Sequence, residues 1–411
     1  MAMAASETLA QCLARVASIV GEEHASAAGE AICVAPANKE QIAEVLRLAD
    51  VGGLCVAPVG SGSKWGWGNP VRPAIRLGLG RMQALREHAW ADMTCTVEAG
   101  CSWAAMQNEL QRHGQMVALD ALWPERATVG GVVATNDSGA LRLRYGGLRD
   151  LIIGMTLVLA DGTIARTGGK VVKNVAGYDL QKLMTGSFGT LGVIAEVNFR
   201  LHPVEKDRLS CTVAAPEPAA FAAPLQKLLR WDLSLSSVQV RTGKEQCALD
   251  IALAGRPECL AEHQQRVKDL LGEAAVTEAD EAVWQARQRL FESTLVLKVS
   301  VLPAEVCAVS SDLQQWSAAN GMEVASVAQA TGLMTVALQS AVDRGAELVE
   351  FLRRRVAACG GSAVVLRLPD ALRSPTDIWG ADPDSLPLMR EIKRRFDPHR
   401  ILNPGRFVGD I

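Results

Sequence analysis

Apolar and polar residues near the start of the chain follow a pattern that predicts a strand, a helix and a second strand. Ile32–Pro36 is a short apolar run typical of a strand. Asn38 is a predicted N-cap, and Gln41, three residues later, suits the capping-box partner. Apolar residues then recur at helical spacing, at Ile42, Val45, Leu46 and Ala49. Gly52-Gly53 ends the helix, and residues 54–57 form the second strand.

That second strand delivers a glycine-rich loop, P-V-G-S-G-S-K-W-G-W-G-N, at Pro58–Asn69. Glycines allow the backbone to turn with positive φ, and successive N–H groups in such a turn bind anions. Lys64 adds a positive charge. A surface turn is the alternative interpretation. The dinucleotide motif G-x-G-x-x-G is excluded because Trp65 stands at its third glycine, and the loop lacks the Gly-Lys-Ser/Thr ending of a Walker motif.

The remaining elements of the first half are read from the same periodicities. Residues 1–30 are predicted to be a helical lead-in. After the glycine loop we predict a strand near Met93–Val97, a helix capped by Ser102 and closed by Gly114, a buried strand at Leu151–Ala160, a hairpin turn at Asp161-Gly162 and a half-exposed strand at Val193–Leu201. Two more glycine-rich segments, residues 124–147 and Gly168–Gly192, lie among these elements. Such segments allow a ligand to lie close against the backbone.

The composition of the sequence changes after Pro203. Residues 205–225 are rich in Ala and Pro and indicate a domain boundary. Beyond them we predict strands near 235–241, 247–254, 295–302, 322–329, 333–339 and 362–368, and helices near 257–272, 303–319 and 343–358. This pattern indicates a second α+β domain with an antiparallel sheet. A final helix, Leu386–Phe396, precedes the tail D-P-H-R-I-L-N-P-G-R-F.

Composition excludes several classes of function. A net charge of −3 gives no basic face for nucleic acid, and the longest apolar run, Leu151–Ala160, is too short to span a bilayer. The ten cysteines include no C-x-x-C, which argues against a metal or iron–sulfur cluster in this chain and favours reduced, buried thiols. With no signal-peptide pattern, a cytoplasmic location is expected, or one at the inner face of the membrane through partners.

Taken together, these segments resemble the flavoproteins of vanillyl-alcohol oxidase and p-cresol methylhydroxylase type. The matching segments are Pro58–Ser63, Thr128–Gly139, Arg144–Gly146, Asp161-Gly162, Lys173–Asp179, Gly186–Ile194 and Phe396–Arg406. Within that family, K-N-V-A-G-Y-D-L, G-T-L-G-V-I and F-D-P-x-x-I-L-N-P-G-R are most similar to the FAD-binding subunits of glycolate oxidases.

The resemblance implies an α+β fold in three parts. Residues 1–203 would form an FAD-binding domain of two subdomains, split near 100–125. Residues 204–384 would form an α+β cap domain with an antiparallel sheet, and residues 385–411 would return to the FAD domain. The implied FAD-binding residues are Pro58, Val59, Gly60, Ser61, Gly62, Ser63, Pro124, Thr128, Gly130, Gly131, Ala134, Asn136, Ser138, Gly139, Gly189, Gly192, Val193, Ile194 and Asn403.

Two departures from the family affect the expected chemistry. No histidine lies between His24 and His88, so FAD should be bound non-covalently rather than through a histidine of the first loop. The six histidines also do not form the metal-binding motif H-x-G-D-G-N-x-H of related 2-hydroxy-acid dehydrogenases. No metal site is therefore expected, and independent oxidation of a hydroxy acid is in doubt.

Oxidation of a 2-hydroxy acid requires a base for the hydroxyl proton and a cation for the carboxylate. Arg144 and Arg367 are candidates for the cation, although most arginines are exposed or structural. Tyr178 is the candidate base, although a tyrosine next to a helix start is more often a packed residue. Their spacing alone does not choose between these interpretations.

Three functions remain open at this stage. The first is an FAD-binding subunit of a multi-subunit glycolate dehydrogenase that oxidises glycolate to glyoxylate. It would require a related flavoprotein subunit and an iron–sulfur subunit to carry electrons away. The second is a self-sufficient FAD-dependent oxidase or dehydrogenase of a small alcohol or hydroxy acid. The third is an FAD-binding assembly subunit without its own catalysis.

Overall fold

The computed structural model describes residues 9–169, 177–243, 246–272, 275–339, 344–369, 372 and 377–411. The chain divides into two compact units. The first comprises the chain through Asp137, residues 147–204 and residues 382–411. The second comprises residues 138–146 and 205–381, so a short segment from the middle of the first half joins the later part of the chain.

The secondary structure of the described residues is mixed, as the predicted α+β class requires. The helices are α1 (Leu9–Val20), α2 (Lys39–Gly52), α3 (Trp103–Gln111), α4 (Val129–Ala134), α5 (Arg142–Tyr145), α6 (Leu148–Leu151), α7 (Leu180–Met184), α8 (Ala222–Arg230), α9 (Pro257–Leu271), α10 (Ala286–Arg289), α11 (Val306–Asn320), α12 (Gly345–Ala357) and α13 (Leu386–Phe396). The strands of the first unit are β1 (Ala25–Ala28), β2 (Ala31–Val34), β3 (Val56–Val59), β4 (Ile75–Gly78), β5 (Leu85–Ala89), β6 (Thr94–Glu98), β7 (Gln115–Met116), β8 (Ile152–Val158), β9 (Ile164–Gly168), β10 (Val193–Arg200) and β11 (His202–Pro203). The strands of the second unit are β12 (Asp207–Ala215), β13 (Leu235–Thr242), β14 (Cys247–Gly255), β15 (Val276–Glu278), β16 (Leu295–Ser300), β17 (Val324–Gln329), β18 (Leu333–Leu338) and β19 (Ser362–Arg367).

Two sheets organise the first unit. The first has the order β1-β2-β4-β3, with β2 and β3 both parallel to β4 and α2 connecting β2 to β3. The second is antiparallel, with the order β5-β6-β10-β8-β9. The chain changes from one sheet to the other between Gly78 and Leu85, whereas the sequence analysis puts the subdomain split near 100–125.

The C-terminal segment extends the first sheet next to the glycine-rich loop. The N–H of Val56 donates to the carbonyl of Ile401 (2.7 Å), and the N–H of Asn403 donates to the carbonyl of Val56 (2.9 Å). Leu402 thereby forms a parallel bridge with Val56 and is fully buried. Residues 401–403 are thus fixed beside the strand that leads into the loop.

The second unit is built on an antiparallel sheet of eight strands, in the order β15-β12-β14-β13-β17-β18-β16-β19. One face carries the apolar core. Alternate residues such as Leu249, Ile251 and Val240 pack there with apolar residues of α11 and α12. Burial of one face of an antiparallel sheet under helices is the expected solution for such alternating strands.

Most elements predicted from periodicity are confirmed, and the misses have physical causes. Asn38 and Ser102 do cap their helices, accepting hydrogen bonds from the N–H groups of Gln41 and Ala105. The side chain of Gln41, however, accepts from the N–H of Ala37 rather than from that of Asn38. Strand β1 contradicts the predicted helical lead-in over residues 1–30, and β12 was not predicted either, because both are short of bulky apolar residues and pair with β2 and β14. Strands β4 and β5 were also not predicted, because each has only four or five residues.

Candidate functional site

A cleft in the first unit is formed where β3 ends, and it encloses about 720 Å³ that is partly open to solvent. Four segments line it: the loop after β3, α4 with its N-cap, the turn before β10, and the C-terminal tail. The lining residues are Pro58, Val59, Gly60, Ser61, Gly62, Ser63, Lys64, Trp65, Leu79, Thr128, Gly130, Gly131, Ala134, Thr135, Phe188, Gly189, Gly192, Ile194, Asn403 and Arg406. Segments far apart in sequence therefore meet around one elongated ligand site.

The loop after β3 and the start of α4 are in close contact. Thr128 caps α4, its Oγ1 accepting from the N–H of Gly131 (3.2 Å). A Cβ atom at Gly60 would lie 2.1 Å from the same oxygen. Gly62 has φ +77° with open space where a Cβ would be, so the conformation rather than a clash requires glycine there. Both glycines keep backbone N–H groups accessible to a ligand.

The C-terminal tail is tied to the turn before β10 through Asn403. Its Nδ2 donates to the carbonyl of Phe188 (2.8 Å), and its backbone has φ +41°. Only 2% of Asn403 is exposed. Its Oδ1 has no hydrogen-bond partner within the described part of the chain. Because a buried acceptor without a donor costs about 1–3 kcal/mol, this oxygen is suited to a ligand donor.

Two buried cations line the cleft, and the charge of one of them is balanced by a buried aspartate. Lys64 lies 3.4 Å from Asp137 and between the rings of Trp67 and Trp123, at 5.7 and 5.6 Å from their centroids. Arg406 donates to the carbonyls of Trp65 (2.7 Å) and Trp67 (3.1 Å).

Burial lowers the pKa of Arg406 to about 10, so the guanidinium is charged at neutral pH. The described lining residues include no aspartate or glutamate. A ligand with negative charge is therefore favoured over a cation at this site.

These features fit FAD. The glycine cradle at Gly60 and Gly62 would offer backbone donors to a pyrophosphate, and Arg406 supplies positive charge at the lining. The buried Oδ1 of Asn403 would be the acceptor for an N–H donor such as the flavin ring system carries. When bound, FAD supplies a two-electron acceptor, and the chain's residues hold and orient it.

The structure brings most of the predicted FAD-binding residues together. Fourteen of the nineteen line the cleft: Pro58, Val59, Gly60, Ser61, Gly62, Ser63, Thr128, Gly130, Gly131, Ala134, Gly189, Gly192, Ile194 and Asn403. The other five do not. The carbonyl of Pro124 accepts from the N–H of Ala104, Val193 pairs with Val158 in the second sheet, and Asn136 has its Cβ against Gly186. Ser138 and Gly139 belong to the second unit.

Six residues that line the cleft were not among the predicted FAD-binding residues: Lys64, Trp65, Leu79, Thr135, Phe188 and Arg406. Of these, Lys64 was noted only for its charge. Trp65 and Arg406 could have been noticed as a pair only with the fold in hand, since 341 positions separate them. In the structure, the guanidinium of Arg406 lies 4.9 Å from the ring centroid of Trp65. Phe188 carried a weaker signal, its place among the glycines of G-S-F-G-T-L-G.

The three candidate catalytic residues are not among the lining residues. Arg144 lies in the second unit, where it donates to the carbonyl of Ala254 (2.6 Å) and pairs with Glu205 (2.7 Å). Arg367, on β19 of the same unit, donates to the carbonyl of Phe291. Tyr178, the candidate base, is 90% exposed rather than packed, and it does not line the cleft.

The remaining predictions concern the motif before Tyr178, metal sites and membrane-spanning helices. Lys173–Ala176, part of the motif K-N-V-A-G-Y-D, lie outside the described residues. Among the residues that are described, no group of three His, Cys, Asp or Glu side chains is arranged to hold a metal ion. In the same residues, no helix has both the length and the apolar character needed to cross a membrane.

Comparison with known proteins agrees with the cleft. Residues 31–168 match the family described as FAD binding domain, and residues 379–407 match that described as FAD linked oxidases, C-terminal domain. The chain is 23% identical to the glycolate oxidase subunit GlcD of Bacillus subtilis, over 91% of this chain and 88% of that protein. It is 28% identical to the D-lactate dehydrogenase of Archaeoglobus fulgidus, over 93% and 92%.

A solved structure shares the fold. The 4-ethylphenol oxidase from Gulosibacter chungangensis superimposes with a TM-score of 0.74, at 15% identity, over 97% of this chain and 96% of that one. The two family matches include the β3 loop and the C-terminal tail, which both line the cleft. The chain therefore carries an FAD binding domain and an FAD linked oxidase C-terminal domain, and it is similar over nine-tenths of its length to a glycolate oxidase subunit and a D-lactate dehydrogenase.

Proposed function

We propose that this protein is the FAD-binding subunit of a multi-subunit dehydrogenase that oxidises a small 2-hydroxy acid, with glycolate, converted to glyoxylate, as the leading substrate. The observation that carries the proposal is similarity over nine-tenths of the chain to two proteins named for such acids, a glycolate oxidase subunit and a D-lactate dehydrogenase. Both substrates present a carboxylate beside the carbon that is oxidised, so one class of chemistry serves both.

The chain's own residues support a role in holding FAD more strongly than a complete active site. The cleft supplies cations, glycine N–H groups and the Asn403 acceptor. By contrast, the histidine motif of related dehydrogenases is missing from the sequence, and the proposed base and carboxylate cations are engaged or exposed outside the cleft lining. We therefore propose that a partner subunit contributes the groups needed for turnover that the cleft of this chain does not supply.

The proposed partners are a related flavoprotein subunit and an iron–sulfur subunit. Oxidation of the hydroxy acid releases two electrons and two protons, and the electrons must leave to an acceptor. The ten cysteines of this chain contain no C-x-x-C spacing for a cluster of its own. A stable complex would bury roughly 1,200–2,000 Å² or more. We place the protein in the cytoplasm, reaching the inner face of the membrane through these partners.

Steady-state dye reduction with glycolate tests the proposal. The purified single chain, loaded with FAD, should turn over negligibly, and activity should appear when it is co-purified with the two partners. D-Lactate in parallel assays identifies the preferred acid. Equal turnover per FAD in the two samples would instead establish the second candidate, a self-sufficient dehydrogenase. A complex whose flavin in this chain is not reduced by substrate would establish the third, an assembly subunit.

A further inference from the structure

A buried lysine in the last helix links two segments that line the FAD cleft. Lys393 lies on α13 and is 4% exposed. Its Nζ donates three hydrogen bonds, to the carbonyl of Thr190 (2.7 Å), to the carbonyl of Leu402 (2.8 Å) and to Oδ2 of Asp397 (2.6 Å). An ammonium group has three N–H donors, so each one has an acceptor.

Asp397 completes this arrangement from the other side. It is fully buried, and its two oxygens accept the N–H groups of Ile401 (2.9 Å) and Leu402 (2.8 Å). The carboxylate therefore fixes the start of the tail while Lys393 bonds a carbonyl in the same tail. Burial lowers the pKa of Lys393, and the neighbouring carboxylate acts in the opposite direction.

The two carbonyls bonded by Lys393 adjoin different parts of the cleft lining. Thr190 follows Phe188 and Gly189 directly, and both of these residues line the cleft. Leu402 directly precedes Asn403, which also lines it. The hydrogen bond from Asn403 to the carbonyl of Phe188 joins the same two segments at a second point. A Cβ at Gly189 would lie 3.1 Å from Nδ2 of Asn403, so the segments have little freedom to approach further.

We propose that Lys393 is a positioning residue for FAD, which sets the separation between the 188–190 turn and the C-terminal tail. Its ammonium holds both segments from behind the cleft, so that Asn403 presents its Oδ1 to the cofactor. A purely stabilising ion pair would need only Asp397 as acceptor. The two carbonyls are what distinguish a lysine with this role. The proposal is independent of the substrate and partners proposed above, since it concerns FAD binding alone.

The test separates stability from FAD affinity with two variants and a control. Lys393→Met removes the three bonds and leaves Asp397 buried without its cation, which should lower the melting temperature of the apoprotein strongly. Lys393→Met/Asp397→Asn leaves no unpaired charge and should recover part of that loss, since the new amide oxygen still accepts one of the two N–H groups, of Ile401 and Leu402, that Asp397 accepts. Arg394→Met, on the same helix, removes an exposed cation that pairs with Glu391 and serves as the control.

The Kd for FAD, measured by flavin fluorescence on each apoprotein, decides the matter. We expect the double variant to bind FAD at least tenfold more weakly than the wild type even where its melting temperature recovers, with a changed visible circular dichroism of the bound flavin. Arg394→Met should bind as the wild type does. A double variant with recovered stability and a Kd within twofold of the wild-type value would overturn the proposal.

Hydrogen exchange on the wild-type protein keeps the proposal testable if the variants fail to fold. Binding of FAD should slow amide hydrogen exchange in both of two peptides, residues 187–192 and residues 393–403, because the side chain of Lys393 joins them. Protection of the first peptide with no change in the second would contradict a shared support.

Discussion

The Oγ1 of Thr128 lies where a side chain at Gly60 would begin, 2.1 Å from the position of an added Cβ atom. The threonine also caps α4 through the N–H of Gly131. One oxygen therefore sets both the start of a helix and the closest approach of the phosphate-binding loop. This contact makes the loop and the helix a single surface of the cleft, against which FAD would lie.

Gly60→Ala should destabilise the protein and weaken FAD binding, because the loop must move away from Thr128. Thr128→Ala alone should cost about 1 kcal/mol, the usual value for a lost N-cap. In the double variant the clash with Oγ1 is gone, so the two losses should be less than additive, by about 0.5–3 kcal/mol. Urea unfolding of the four proteins measures this coupling. Strictly additive losses would show that the two residues do not touch in solution.

Gly62→Val should weaken FAD binding at least tenfold. The position has φ +77°, where a branched residue is strained by about 1–3 kcal/mol, and the new side chain would project beside the phosphates. Gly29 offers a matched control, with φ +65°, equally open surroundings and a place outside the cleft. Gly29→Val should lose similar stability and keep its FAD affinity. Titration of the apoproteins with FAD checks both, and equal affinities in the two variants would mean that Gly62 is not at the phosphates.

FAD should leave the protein on acid precipitation. The described residues that line the cleft include no histidine, cysteine or tyrosine, the side chains that could bond the flavin covalently. Absorbance of the supernatant at the flavin maximum should therefore account for all of the cofactor. Yellow colour that stays with the precipitate would contradict non-covalent binding.

The stability of the tail should depend on pH through His399. Its Nδ1 lies 2.8 Å from Oδ1 of Asp50, and the hydrogen bond and charge of that carboxylate raise the pKa of His399. Because the pKa of His399 is higher in the folded than in the unfolded state, the ion pair stabilises the folded protein fully below the unfolded-state pKa of about 6.5. This stabilisation is lost as the pH rises through the folded-state pKa. Asp50→Asn should thus lower the melting temperature more at pH 6 than at pH 9. A difference that does not change with pH would exclude the charged pair.

Much of the site is local in sequence and could be predicted for that reason. The glycine loop at Pro58–Ser63 follows a short strand directly, and the positive φ of Gly62 favours glycine whatever surrounds it. The caps at Asn38 and Ser102 are likewise decided within four residues, and the long strands of the second unit were recognisable because apolar residues recur along each of them.

The features that were not predicted depend instead on contacts between residues far apart in the sequence. Strand β12 has few bulky residues and forms because β14 and β15 pair with it on both sides. The assignment of Ser138 and Gly139 to the second unit likewise depends on the packing of α5 against β13, which no local pattern encodes.

The sequence by itself predicted the resemblance to FAD-binding flavoproteins, the class of cofactor and most of the segments that line the cleft, because these depend on short motifs whose chemistry is complete within each segment. Only the tertiary structure decided which side chains those segments bring together. Arg406 reaches the carbonyls of Trp65 and Trp67, and Lys393 reaches the carbonyl of Thr190, 203 positions away. Such bonds form when the chain closes the tail onto the first sheet. Their partners are backbone carbonyls, which every residue carries, so residue identity alone does not reveal them.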